Sequence, residues 1–144
     1  MTIAEAVRRH EAAMNGLDNA ISDILNEVED DIVKMQQDRI FAGELVGGGP
    51  IVPEYSMLTK VYKAIKQQPY DHVTLKDTGS FHANIFAAQF GDKLLIDSND
   101  DKSVELQEYY GEDIFGLTKE NKEEIQPEAN KLLVRYYKSI TGFN

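Results

Sequence analysis

Hydrophobic residues recur at intervals of three and four through Leu17–Phe41. Leu17, Ile21, Ile24, Val28, Ile32 and Met35 fall on one face, and Leu25 and Ile40 widen it. This period predicts one long amphipathic helix. Its opposite face carries Asp23, Glu27, Glu29, Asp30, Asp31, Lys34 and Asp38. Successive helical residues point in different directions, so the acidic run reads as a solvated face rather than a cation site. Ahead of this helix, Thr2 and Glu5 fit a capping box, and Ala-rich Ile3–Met14 has helical propensity up to a stop at Asn15-Gly16. Residues 1–16 are expected to form either a frayed terminal helix or an N-terminal arm that packs on a neighbouring subunit.

The pattern breaks at residues 42–53, where Gly43, Gly47-Gly48-Gly49, Pro50 and Pro53 predict a flexible loop. Such a loop also suits a segment that orders against a partner. The glycine triplet is not a phosphate cradle: Pro50-Ile51-Val52-Pro53 follows it where Lys-Ser/Thr and a helix would be needed. Glu54–Gln67 is predicted as a helix with Pro53 in its first turn and Leu58, Val61, Tyr62 and Ile65 as its apolar stripe. Lys60, Lys63 and Lys66 form a second, basic stripe, read as a solvated face or as a docking strip for an acidic surface.

Alternation of period two takes over in the next stretch. Val73-Thr74-Leu75 reads as a short strand or extended entry, and Asp77-Thr78-Gly79-Ser80 as a turn. His82–Phe90 is predicted as a strand, with Gly91-Asp92 turning into a return strand at Leu94-Leu95-Ile96. Beyond it, Ser98–Asp101 turns the chain, with Ser103 or Asp101 capping a short helix that ends at Gly111. The apolar segment Ile114–Leu117 is expected on the core. Thr118 opens a final helix toward Ile140, with Ile125, Ala129, Leu132, Tyr136 and Ile140 inward and a kink or restart at Pro127. The fold class is α+β: a long N-terminal helix and a C-terminal helix packed on a small antiparallel hairpin or meander, with residues 1–144 in one domain.

Composition narrows the function. The 144 residues carry 15 Lys+Arg against 25 Asp+Glu, a formal net charge of -10. That balance disfavours non-specific grip on nucleic acid or an anionic membrane, although an acidic surface could line a conduit that DNA passes without sticking. There is no cysteine, hence no disulfide or thiolate metal site. No signal peptide is expected, and no apolar run nears the roughly 18 residues of a membrane helix. Three histidines, His10, His72 and His82, lack metal-ligand spacing to one another. Asp77 with His82 is the nearest thing to an acid–base pair, and no nucleophile accompanies it. The chain offers no catalytic residues and no cofactor motif. One metal pattern exists: Asp97, Asn99, Asp101 and Glu108 occupy positions 1, 3, 5 and 12 of a calcium loop. Lys102 stands where that loop needs glycine, and a strand precedes it in place of a helix. A calcium-responsive binding module is therefore the alternative reading.

The order of the pieces carries a resemblance. A helix with Tyr55, Lys60 and Lys63 precedes an Asp77-Thr78-Gly79 turn that opens a hairpin. Then come an acidic turn, a helix ending Tyr109-Tyr110-Gly111, and Ile114–Thr118 with Glu120-Asn121 opening the last helix. Over roughly residues 41–140 this resembles small virion morphogenesis proteins of tailed phages of Bacteroidetes-type bacteria. In those proteins a TG-hydrophobe turn precedes paired strands, and a Phe-hydrophobe-Gly-Leu-Ser/Thr stretch precedes the C-terminal helix. An Arg-rich stretch often precedes that glycine-leucine segment, whereas Gly111-Glu112-Asp113 is acidic here. The resemblance implies a virion structural protein, assembled in the host cytoplasm: a head–tail connector, neck or tail-completion protein forming a homo-oligomeric ring. Implied partners are portal, adaptor or tail proteins, with no sequence-specific nucleic acid and no membrane. The expected assembly interface is Gly47, Gly48, Gly49, Pro50, Ile51, Val52 and Pro53, with Asp77, Thr78, Gly79 and Phe81 of the turn.

Overall fold

The computed structural model describes residues 1–144. In order, it comprises α1 (Ile3–Asn15), α2 (Leu17–Phe41), α3 (Met57–Ile65), α4 (Ser80–Ala83), β1 (Ile85–Phe90), β2 (Lys93–Ser98), α5 (Ser103–Tyr110), a 3-10 turn (Glu112–Ile114) and α6 (Lys119–Thr141). The class is α+β, with the long helices packed on a two-stranded antiparallel sheet. No helix is long and apolar enough to cross a membrane.

The 25-residue helix α2 is the spine. One core cluster gathers Ile40 with Ile51, Val73, Leu75, Phe81, Ile85 and Ile114. A second joins Val28 and Ile32 to Ala87 of β1 and Leu132 of α6. Ile96 of β2 packs against both clusters, so the hairpin bridges them. Glu29 of α2 also accepts the Ala87 N–H at 3.3 Å. The predicted stripe holds at Val28 and Ile32, but Met35 is only partly buried and Ile21 is exposed.

Past Met35 the face turned inward becomes polar. Gln36 and Arg39 are buried; the Arg39 guanidinium donates to the Ile114 carbonyl, to the Gly116 carbonyl at 3.2 Å and to Gln36 Oε1 at 3.0 Å. The Gly116 N–H donates to the same Gln36 oxygen at 3.1 Å. Two side chains thus fasten the Ile114–Leu117 segment to the spine, and charge-assisted bonds of this kind are the stronger ones. Burial lowers the Arg39 pKa, while Asp113 and Glu44 act against that shift.

α1 does not lie free as an arm. Its Ala13 is buried, and α1 packs along α6. Arg9 donates to the Thr141 carbonyl at 3.1 Å, His10 bonds the Tyr137 hydroxyl at 2.9 Å, and Tyr136 donates to the Ala13 carbonyl at 2.8 Å. The Thr2–Glu5 capping box forms as expected. α6 runs unbroken through Pro127. The ring costs it the N–H of residue 127, one turn-to-turn bond in a helix of 23 residues that is seated on α2 and α1. Ile140 is exposed and Thr141 takes the inward place.

Two stretches expected to be strand are otherwise built. Residues 73–75 are buried but pair with no strand, and Leu75 is left-handed at φ +52°. Their polar groups are met by the Tyr55 hydroxyl, which accepts from the N–H of Thr74 at 3.0 Å and of Leu75 at 3.3 Å. Residues 80–83 form the single helical turn α4, so β1 starts at Ile85, with Phe90 paired to Lys93 across the Gly91-Asp92 turn.

Candidate functional site

Ser56 sets the start of α3, accepting the Thr59 N–H at 3.2 Å, three residues beyond the expected Pro53. The helix then seats itself in the opposite sense to its hydrophobic pattern. Lys63 is the residue it buries. The Lys63 ammonium donates to the Lys76 carbonyl at 3.0 Å and lies 4.9 Å from the centre of the Tyr55 ring, a cation–π contact. Since Tyr55 also holds residues 74 and 75, Lys63 and Tyr55 form one inward clasp. The apolar stripe faces solvent: Leu58 is 80% exposed, Ile65 76% and Met57 75%, with Val61 and Tyr62 also exposed. Lys60 pairs with Glu54 at 3.4 Å and Lys66 with Asp77 at 2.9 Å, both at the surface. The Asp77 hydrogen bond raises the Lys66 pKa, and the same bond lowers that of Asp77.

The sequence pattern could not reveal this inversion. Lys60, Lys63 and Lys66 recur every three residues, as regular a stripe as the aliphatic one. Periodicity separates the two faces of a helix without stating which is inward.

The Asp77–Ser80 turn forms as expected, with Gly79 at φ +92° and Thr78 accepting the Ser80 N–H. It borders an open cleft of about 720 Å³ against Gln37, Asp38 and Phe41 of α2. His82 lies in its wall but is buried, its Nε2 donating to the Thr74 carbonyl at 2.7 Å. Burial holds the His82 pKa below its ordinary value. Asp77 is engaged with Lys66 rather than His82, and the Ser80 hydroxyl donates to Asp100 at 2.5 Å. Acid, histidine and hydroxyl are therefore each spent on a different structural bond.

The expected assembly residues do not form one surface. Gly47–Gly49, Pro50, Val52 and Pro53 are exposed, but Ile51 is 2% exposed and Phe81 5%, both in the core. The expected flexible loop is stitched down. Leu45 bonds Gly49, Ile51 bonds Gly43, and the Val46 N–H donates to the Asp113 carbonyl at 3.0 Å. Asp113 Oδ2 takes the Gly47 N–H as well, at 3.1 Å. Burying Ile51 requires this closure, because the buried side chain fixes the backbone on either side of it.

Asp97, Asn99, Asp101 and Glu108 are not brought together, and no group of three or more His, Asp or Glu side chains is placed to hold a metal ion. Asp97 Oδ1 instead accepts from the Ser98 N–H, the Ser103 hydroxyl at 2.6 Å and Gln107 at 3.0 Å. It anchors the start of α5, where neither Ser103 nor Asp101 serves as the cap.

A second apolar surface is concave. A groove of about 620 Å³ runs between α2, the hairpin and α6, lined by Ile21, Leu25, Val28, Leu94, Leu117 and Ile125 among others. Asp18 and Asp92 stand on its rim with Lys93. Neither a family model, nor a curated protein, nor a solved structure matches this chain.

Proposed function

We propose that this chain is a structural component of a tailed-phage virion, a head–tail connector, neck or tail-completion protein that works as a ring of copies and not as an enzyme. The observation that carries the reading is the outward apolar face of α3. Five large hydrophobic side chains on a nine-residue helix stand in solvent while a lysine is buried beneath them. Contiguous apolar exposure of this kind marks association surfaces. The order of motifs from Tyr55 to Asn121 supplies the virion context, and the net charge of -10 suits a wall that DNA passes without adhering. The individual engagement of Ser80, His82 and Asp77 supports a role without catalysis.

The test is native mass spectrometry and negative-stain microscopy of the purified chain, alone and with portal protein. Closed rings of one stoichiometry are expected. A chain that stays monomeric in both conditions, up to millimolar concentration, overturns the reading.

A further inference from the structure

We infer that the face of α3 on one copy docks into the α2–hairpin–α6 groove of the next, so that the contact runs head to tail. This rests on the ring reading and names the surfaces that would make it. Leu58, Val61, Tyr62 and Ile65 fall at i, i+3, i+4 and i+7, the anchor spacing of a helix laid in a groove. The groove is mostly aliphatic and open, and its volume of about 620 Å³ lies within the range of concave binding sites.

The charges match as well. Lys60 and Lys66 flank the face, Lys63 being turned inward, and residues 57–66 hold no acid in a chain of net charge -10, while the groove rim sets Asp18 and Asp92 against a single Lys93. Lys60 and Lys66 keep their exposed partners Glu54 and Asp77, and such exposed pairs are weak enough to rearrange at an interface. One surface is convex and basic at its edges, the other concave and acid-rimmed. They are different surfaces on the same molecule, as a heterologous contact requires, and a heterologous contact that closes gives a ring.

The absence of cysteine makes the test clean. Val61→Cys and Leu94→Cys each alter a partly exposed side chain on one surface, so both chains should fold. Under mild oxidation a mixture of the two should give a crosslinked pair at least about tenfold in excess of either variant alone, a discrimination of the size a well-formed contact provides. As a second arm, Leu58→Ser/Ile65→Ser and Ile21→Lys/Leu94→Lys chains should each fail to form rings, yet mix into a one-to-one dimer, since each retains one intact surface. Rings of the wild-type chain with no preferential Val61–Leu94 crosslink overturn the docking and leave the ring reading standing. A wild-type chain that never associates overturns both. Binding of an apolar fluorescent probe in the groove that is lost in Leu94→Lys, yet not displaced by excess of the Ile21→Lys/Leu94→Lys chain with its intact α3 face, overturns the docking.

Discussion

Lys63 donates its ammonium to the carbonyl of Lys76 at 3.0 Å, so α3 turns a charged side chain toward the body of the protein and its aliphatic ones away. The ammonium keeps a hydrogen bond and an aromatic face, which allows a lysine to be buried without a direct salt bridge.

An inverted ranking of substitutions follows. Lys63→Ala removes the bond and the packing, and should destabilise the isolated chain by about 1–3 kcal/mol. Ile65→Ala should change its stability by no more than about 0.5 kcal/mol, as for an uninvolved surface site. Urea unfolding of both variants at a concentration where the chain is monomeric measures this. The opposite ranking would mean that α3 packs by its aliphatic face.

Arg39 and Gln36 should act as a unit. Arg39→Met forfeits the bonds to the Ile114 and Gly116 carbonyls, and Gln36→Leu leaves the Gly116 N–H without its acceptor. Each should cost about 2–4 kcal/mol, from charge-assisted bonds of roughly 1.5–3 kcal/mol apiece. The double variant should fall short of the sum by more than about 0.5 kcal/mol, because the two share partners. A thermodynamic cycle from denaturant melts reads that coupling.

The Gly47–Pro53 loop should behave as part of the core. Ile51→Ala should destabilise by about 2–5 kcal/mol, the range for truncating a buried aliphatic side chain. Gly43→Ala should be costly too: its φ is +81°, and an added Cβ would stand 2.9 Å from the His72 ring. Thermal melts that left both variants near wild type would show the loop to be free.

His82 gives the protein a pH dependence above the carboxylate range. Burial lowers its folded pKa from the ordinary 6.5, so the unfolded chain binds the proton first as pH falls. Stability from the neutral ring is fully present above about 6.5 and declines below it, until the folded pKa is passed. The exposed Asp71, Asp77 and Asp100, whose pKa values are lowered by their hydrogen bonds to His72, Lys66 and Ser80, act only below their ordinary 3.8. Between about pH 7 and 5 the wild type should therefore lose stability, and His82→Gln, which can still donate to the Thr74 carbonyl without charging, should lose less. Parallel slopes would remove His82 as the cause.

Asp97 should matter without calcium. Asp97→Ala removes the acceptor shared by the Ser98 N–H of β2 and by Ser103 and Gln107 of α5, and should cost about 1–3 kcal/mol, the range for leaving such donors unpaired. Calcium at millimolar concentration should leave the wild-type melting temperature unchanged. A rise on adding calcium would restore the calcium-loop reading.

Local chemistry made the elements legible, and long-range packing hid the rest. α2 could be read from Leu17 because a helical period runs through Met35 and no breaker interrupts it before Ala42-Gly43. The caps at Thr2 and Thr118 and the stop at Gly111 are each written within four residues. The Phe90–Lys93 hairpin was legible for the same reason. His82 and Ala83 of α4 read as strand because four residues are too few to show a period, and the bond that closes the turn, Ala83 N–H to the Gly79 carbonyl, is backbone only. Within the candidate site, the lysines and aliphatics of α3 were visible, but the inward turn depends on Tyr55 and Lys76, which meet Lys63 only in the folded chain. Ile51 and Phe81 read as interface residues for a like reason: nothing in a Gly/Pro loop or a polar turn announces that Ile51 rather than Val52, or the Phe81 that follows the turn, reaches the core.

The clasp between α1 and α6 has a consequence for biosynthesis. Arg9 finds its acceptor 132 positions further on, and Ala13 finds its own 123 positions further on. Loop closure over such a span cannot begin until residues 136–141 have emerged from the ribosome. Helix α1 thus emerges well before the helix it is seated on, and the seam between them stays open until α6 has been made.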